Sequence, residues 1–166
     1  MSAVRPVPCP FRFVPAAALL ALAGCGSDGD SGSGASSGAV TVAVTDAPSD
    51  EVAAFVVEVE SFVLQKSNGA LVSVLSNPVT VDLTSLTDFS QVLNMASVPV
   101  GSYVGADATF DFSEASVVLN DESTPATLLD AQGDPLDGLV TYPIQFPTSA
   151  LSVAASKHVV LELDVD

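Results

Sequence analysis

Residues 103–112 read Tyr-Val-Gly-Ala-Asp-Ala-Thr-Phe-Asp-Phe, the most regular alternation of apolar and polar residues in this 166-residue chain. Side chains of an extended strand point alternately to two faces, so a repeat of two predicts a strand with one face in a core. The side chains predicted to face inward are Val104, Ala106, Ala108, Phe110 and Phe112. Those predicted to face outward are Tyr103, Asp107, Thr109 and Asp111.

The same period of two recurs on both sides of this stretch. Valines alternate with threonines over 40–45, and apolar with polar residues over 158–165. A further alternation over 140–146 contains Pro143, which lacks an N–H donor and therefore predicts a strand at a sheet edge. Turn-forming residues separate the segments at regular spacing. We therefore predict an all-β fold, an antiparallel β-sandwich of about eight strands.

The segment 52–64 needs an irregularity to remain a strand. Regular alternation would place Phe62 and Leu64 on the same face as Glu58 and Glu60. A β-bulge near Ser61 would return the two apolar side chains to the core.

One segment has helical rather than alternating spacing. Asp88 is a candidate N-cap with Gln91 three residues later, and the apolar residues that follow are spaced as on one helix face. These apolar residues are Phe89, Val92, Leu93 and Met95. The pattern predicts one short helix that closes an end of the sandwich.

The first residues have the composition of an export signal. Arg5 and Arg12 precede or begin an apolar run that ends at Ala23, and no acidic residue occurs before Cys25. Such a run is typical of a secretory signal peptide and is too short to span a bilayer as a helix. Leu22-Ala-Gly-Cys25 resembles the lipobox of bacterial lipoproteins, in which the cysteine is acylated and the chain is cut before it. The resemblance implies a signal peptide over 1–24 and a lipid on Cys25.

The chain then passes through a linker into one domain. Residues 25–38 comprise the acylated cysteine and a Gly/Ser-rich tether, whose thirteen residues after Cys25 span about 20 Å root-mean-square. Residues 39–166 form the predicted β-sandwich domain. Gly26 rather than aspartate follows the cysteine, which by resemblance to enterobacterial sorting implies the outer membrane of a bacterial envelope. The final alternation runs to the last residue, so the sequence leaves open whether more chain follows.

Charge restricts the possible partners. The chain carries 20 acidic residues against four lysines and arginines, a formal net charge of −16. Every acidic residue lies after Cys25, and cleavage there would also remove both arginines. Such a surface repels nucleic acid and anionic lipid. No cysteine follows Cys25, so the domain is predicted to be stable without a disulfide.

Carboxylates are the main candidates for chemistry. On a strand, Glu58 and Glu60 would project from one face roughly 6.5–7 Å apart, which falls in the range for an inverting glycosidase. A solvated strand face is the reading that the sequence favours. The single histidine, His158, and the absence of a G-x-S-x-G motif leave no recognisable nucleophile–base pair or zinc site. We therefore predict that the protein is not an enzyme.

Three groups of aspartates are weak candidates for calcium. They are Asp46 with Asp50, Asp107 with Asp111, and Asp130 with Asp134 and Asp137. Calcium requires six to eight oxygen ligands, and none of the groups has the spacing of a calcium-binding loop. Solvation and hydrogen bonds within the turns are the reading that the sequence favours for them. No cofactor is predicted, with calcium as the alternative.

Four sequence elements together resemble a bacterial lipoprotein domain family of unknown function, whose domains open with V-T-V-x-V-T-D-A-P-x-D. The elements are Val40–Asp50, Val57–Glu60, Val79–Leu86 and Pro99–Tyr103. Members often continue with a strand like Ile-Arg-Leu, whereas this chain has Gly105-Ala-Asp-Ala108. The resemblance implies a lipid-anchored β-sandwich and no particular activity. Locally, Asp130–Gly138 resembles a hairpin of transthyretin-like and carboxypeptidase-regulatory-like sandwiches.

The sequence thus predicts a lipid-anchored envelope lipoprotein with a non-catalytic binding or structural domain. Its expected partners are the membrane, through the N-terminal lipid, and another protein or a polysaccharide. The alternatives are a calcium-dependent adhesion or glycan-binding domain and a carboxylate-based glycan hydrolase.

Overall fold

Two β-sheets pack face to face around one apolar core. This computed structural model describes residues 12–13, 36–46, 51–86, 90–120, 125–146 and 151–165. Most strand pairs are antiparallel, and the sheets do not close into a barrel. The predicted all-β sandwich is therefore confirmed.

Eleven strands occur among the described residues. They are β1 (Arg12–Phe13), β2 (Ser37–Asp46), β3 (Val52–Lys66), β4 (Leu71–Ser73), β5 (Val79–Asp82), β6 (Gln91–Pro99), β7 (Gly101–Leu119), β8 (Pro125–Ala126), β9 (Leu139–Gln145), β10 (Leu151–Val153) and β11 (His158–Val165). The sequence predicted about eight, and four of the eleven have only two or three residues. Such short strands lack enough alternation to be recognised from sequence.

The smaller sheet has the strand order β1-β11-β2-β6. Its central pair, β2 and β11, is parallel and runs without a register shift from Ala39 opposite His158 to Asp46 opposite Val165. This parallel pair is an exception to the predicted antiparallel arrangement, which the other described strand pairs follow. Alternation reveals which face of a strand is buried but carries no information about the direction of its neighbour.

Two long strands, β3 and β7, form the centre of the larger sheet. The other side of β3 pairs with β4 and β5, and β7 pairs with β8, β9 and β10 at successive points along its length. In the described part of the chain β9 pairs with β7 alone, which confirms the edge position predicted from Pro143.

Bulges in the β3–β7 pair decide which side chains enter the core. The register shifts between Val59 and Ser61, and Phe62 and Leu64 are buried, as predicted from the phase of β3. The pair has four register shifts, and the second one that changes a predicted orientation comes where Gln65 pairs with Gly105 but Lys66 pairs with Tyr103. Val104 is thereby left without a paired position.

This second bulge corrects the predicted orientation at the start of β7. Tyr103, predicted to face outward, is fully buried, and Val104, predicted inward, is half-buried. From Ala106 to Phe112 the predicted alternation is confirmed, with every second side chain in the core.

The predicted helix after Asp88 is wrong. Residues Gln91–Pro99 form strand β6, antiparallel to β2, while Asp88 and Phe89 lie outside the described residues. A register shift between Val42 and Ala43 of β2 passes over Leu93, so that Val92 and Met95 are both exposed while Leu93 is buried. The bulge thus puts two side chains three residues apart on one face, which is the spacing of a helix.

Leu83–Leu86 form a 3₁₀ turn, the one helical segment within the described ranges. Its two leucines are buried, and it touches β3 of one sheet and β2 of the other. This turn contacts both sheets, but it is a different segment from the predicted helix. The described residues contain no helix with the length and apolarity needed to cross a membrane.

Candidate functional site

Asp82 of the Val79–Leu86 element organises the 3₁₀ turn. Its Oδ1 accepts hydrogen bonds from the Thr84 amide (3.2 Å) and the Thr84 hydroxyl (2.8 Å). The same oxygen accepts from the Phe55 amide on β3 (3.3 Å). This is an N-cap, which satisfies amides that a helix start leaves unpaired. The aspartate in this motif therefore has a structural role.

Tyr103 of the Pro99–Tyr103 element closes the corner where the chain passes from the smaller to the larger sheet. Its hydroxyl donates to the carbonyl of Pro99 at 2.7 Å, four residues upstream. Lys66 covers the corner, with Nζ donating to the Val100 carbonyl at 2.9 Å and lying 5.6 Å from the centre of the Tyr103 ring. Burial raises the pKa of Tyr103 above its ordinary value. The arrangement resembles the tyrosine corner of immunoglobulin-like sandwiches.

Two of the carboxylates singled out from the sequence lie opposite each other on the larger sheet. Glu58 of β3 lies directly opposite Asp111 of β7, and Asp107 lies opposite Val63. Glu60 falls at the bulge between Val59 and Ser61. Directly opposite like charges repel each other across a sheet. The carboxylate that the structure places opposite Glu58 is therefore that of Asp111 on the neighbouring strand, and not that of Glu60.

Local hydrogen bonds hold the Asp111 carboxylate. Its Oδ1 accepts from the Ser113 amide at 2.9 Å. Hydrogen bonds from the Ser113 amide and side chain lower the pKa of Asp111, against a smaller opposing effect of desolvation. The side chain is thus stabilised in its ionised form by its own strand.

Asp130 of the 130–138 loop likewise stabilises its own turn. Asp130 Oδ1 accepts from the amides of Gln132 and Asp134, both at 2.9 Å. The Asp130 amide donates to the Asp134 carbonyl at 2.8 Å, and Leu136 donates to Leu128 at 2.9 Å. These bonds form the hairpin expected from the turn residues.

Other candidates are placed only in part. Asp46 ends β2 opposite Val165, whereas Asp50 and Cys25 lie outside the described residues. Across the described ranges, no three histidine, cysteine, aspartate or glutamate side chains lie close enough to hold a metal ion together.

The outer face of the smaller sheet carries exposed apolar side chains. Met95 on β6 and Val160 on β11 both lie opposite Thr41 of β2, and Val92 lies opposite Ala43. Met95 is 63% and Val160 42% exposed, while Thr41 between them is buried. Thr41 is hydrogen-bonded to exposed His158 through Oγ1 and Nε2 at 2.8 Å. The only histidine of the sequence thus contributes a hydrogen bond between β11 and β2.

The two lateral sides of the sandwich differ. On one side Asn94 of β6 donates to the Val74 carbonyl beyond β4, and Val74 and Leu75 are buried there. On the other side a small apolar cleft of about 10 Å³ remains between β9 and β11. Its lining residues are Val42, Phe62, Ile144, Phe146, Leu161, Glu162 and Leu163.

Strand β11 forms one wall of this cleft. Among the described residues, the neighbour at its outer edge is the two-residue strand β1, antiparallel, with Arg12 opposite Asp164 and Phe13 opposite Leu163. Edge strands are usually shielded by proline, lysine, bulges or shortness. The eight residues of β11 contain no proline or lysine and pair with β2 without a shift. The cleft and this edge together form the candidate binding site.

Sequence reasoning missed several of these features. The i, i+4 spacing of Pro99 and Tyr103 was a usable signal for the corner. The apolar face with Val92 and Met95 was hidden by its helix-like spacing. The cleft is lined by residues of β9 and β11 together with residues of β2 and β3, which are distant from them in sequence. No local sequence pattern therefore predicts it.

Comparison with known sequences places the domain. Searches of curated proteins and of solved structures returned no significant match. A family described as "Domain of unknown function (DUF4382)" matches residues 37–166, from the first residue of β2 to the end of the chain. The expectation of a domain family of unknown function is thereby confirmed, and the chain belongs to this DUF4382 family.

Proposed function

We propose that the protein is a lipid-anchored lipoprotein of the bacterial envelope, and that its β-sandwich is a non-catalytic binding domain. The observation that carries the proposal is the placement of Cys25. It follows the apolar leader at Leu22-Ala-Gly, and a Gly/Ser-rich stretch separates it from β2 and from the start of the family match at 37. Among the described elements, cleavage before Cys25 would remove the two-residue strand β1, and the other strands all follow Cys25.

The arrangement of the polar side chains favours binding over catalysis. Asp82 and Asp130 accept hydrogen bonds within their own turns, and Asp111 accepts one from Ser113. Apolar surface, in contrast, is available at the cleft and on the outer face of the smaller sheet. Exposed apolar surface is typical of protein interaction sites, and the acidic charge disfavours nucleic acid.

Metabolic labelling with a fatty acid tests the anchor. Cys25→Ala should abolish the label and release the domain in soluble form, because no other thiol is available at the cleavage site. The matched control is Cys9→Ala, which removes the other cysteine and should leave labelling unchanged. Label that persists in Cys25→Ala contradicts the proposal.

The hydrolase alternative has a separate test. We expect wild type to show no turnover on a panel of envelope glycans. The variant with glutamine at positions 58 and 60 should therefore behave in the same way. Turnover by wild type that the double variant loses would favour a hydrolase over a binding domain.

A further inference from the structure

The edge of β11 and the cleft beside it have complementary features for one kind of ligand. An extended peptide can add to a sheet edge through main-chain hydrogen bonds, and alternate side chains then enter pockets beside the edge. At β11 the edge is regular over eight residues. The apolar cleft opens on the side of β11 that faces β9.

The geometry places one position of an added strand beside the cleft. Residues directly opposite each other on neighbouring strands project from the same face of the sheet. Leu163 is buried and lines the cleft, so a residue opposite Leu163 lies on the inner face next to it. The next position, opposite Asp164, lies on the outer face, where Glu162 is also found. An apolar residue suits the first position and a basic residue suits the second.

The chain itself supplies a segment with this pattern. In β1, Phe13 is the residue opposite Leu163 and Arg12 the residue opposite Asp164. Both belong to the leader that the proposed function removes before Cys25, so the present inference rests on that cleavage. Removal would take β1, the neighbour of β11 in the described part of the chain, away from this edge, and with it the basic residue next to an acidic domain.

We propose that the mature domain binds an extended, basic–apolar peptide segment of a partner protein by antiparallel strand addition to the edge of β11. The segment places an apolar side chain opposite Leu163, at the cleft between β9 and β11, and a basic side chain opposite Asp164. The leader occupies this edge before processing. The other edge of the smaller sheet, β6, is a poorer acceptor because it carries a bulge and ends in Pro99.

Peptide binding to the processed protein tests the proposal. The probe is a fluorescent peptide with the sequence of residues 10–17, Pro-Phe-Arg-Phe-Val-Pro-Ala-Ala. We expect saturable binding to the protein purified from envelopes and several-fold weaker binding to Cys25→Ser, which keeps its leader on the edge. Amides of residues 158–165 should gain protection from hydrogen exchange when the peptide is present.

Charge exchange tests the register. Asp164→Lys should weaken the probe several-fold, and a peptide with glutamate in place of Arg12 should recover the lost affinity on this variant. Glu60→Lys makes the same charge change on the other sheet and should leave the preference unaltered.

Three results would overturn the inference. They are no saturable binding to the processed protein, protection at β9 or β6 instead of β11, and self-association through β11 that the peptide cannot compete with. Intact mass separates this test from the previous one. A chain that retains residues 1–24 contradicts the proposed function, whereas a processed chain that does not bind the peptide contradicts only the present inference.

Discussion

At the scale of the residue, Asp82 and Tyr103 stabilise the connections between the two sheets. Asp82 caps the 3₁₀ turn that joins the two sheets, and Tyr103 closes the corner between them. Each motif is recognisable in sequence because it needs a particular side chain at a particular spacing. The position of Tyr103 in the core could not be predicted, because the bulge at Val104 depends on pairing with β3.

Replacing Tyr103 with phenylalanine should reduce the free energy of unfolding by about 1 kcal/mol at neutral pH, since the Pro99 carbonyl loses its partner. The pKa of Tyr103 is raised in the folded state, so its contribution is complete below the ordinary value of 10.0. As the pH rises from there through the raised value, the unfolded state ionises first and wild type loses stability. Urea unfolding at several pH values should therefore show wild type and variant converging above pH 10. Curves that stay parallel would contradict this role.

Gly105 tests the close approach of β9 to β7. A Cβ built there would lie 2.5 Å from the carbonyl oxygen of Ile144, a backbone atom that cannot turn aside. Gly105→Ala should destabilise the protein by roughly 1–3 kcal/mol, as overpacking generally does. Ser102→Ala at an exposed position of the same strand is the control and should stay within about 0.5 kcal/mol. Equal melting temperatures for the two variants would show that the strands can separate at no cost.

At the scale of the element, the alternation of apolar and polar residues predicts which face of a strand is buried, but it does not predict which strands are neighbours. The inward sides of β2, β9 and β11 follow from residue type, because burial of every second side chain needs only the strand itself. The parallel β2–β11 pair and the strand character of β6 depend on neighbours far away in sequence. The binding edge of β11 is unpredictable from sequence for the same reason.

Two substitutions on β6 distinguish a bulged strand from the helix that its spacing indicated. Leu93 is buried and Met95 is 63% exposed. Leu93→Ala should cost about 2–5 kcal/mol in the free energy of unfolding, the usual range for a core leucine. Met95→Ala should cost no more than about 0.5 kcal/mol. Comparable losses at both positions, measured by urea unfolding, would place both side chains on one buried face and contradict the strand.

At the scale of the whole molecule, charge opposes the compact state. The formal net charge is −16. Glu58 lies opposite Asp111, and no lysine or arginine occupies the positions beside this pair on the neighbouring strands. Salt screens such repulsion, with a Debye length of about 10 Å at 0.1 M. We therefore expect the melting temperature to rise with sodium chloride. Glu58→Gln should melt slightly higher than wild type at low salt and equally at high salt, whereas a difference that persists at high salt would show that repulsion is not its cause.

The same acidity makes calcium a demanding test, because any divalent cation screens a negative surface. Wild type should therefore be melted in millimolar calcium chloride and in sodium chloride of matched ionic strength. We expect nearly the same midpoint in both, since the Asp130 carboxylate is engaged by amides of its own loop and no three candidate ligands converge among the described residues. A ligand that binds only the folded state at a hundred times its Kd adds about 2.7 kcal/mol to stability. A midpoint several degrees higher in calcium than in matched sodium would thus reveal a specific site and favour the calcium-dependent adhesion alternative. Asp130→Asn and Asp107→Asn would then locate the site, since only the variant that lacks a ligand should lose the excess.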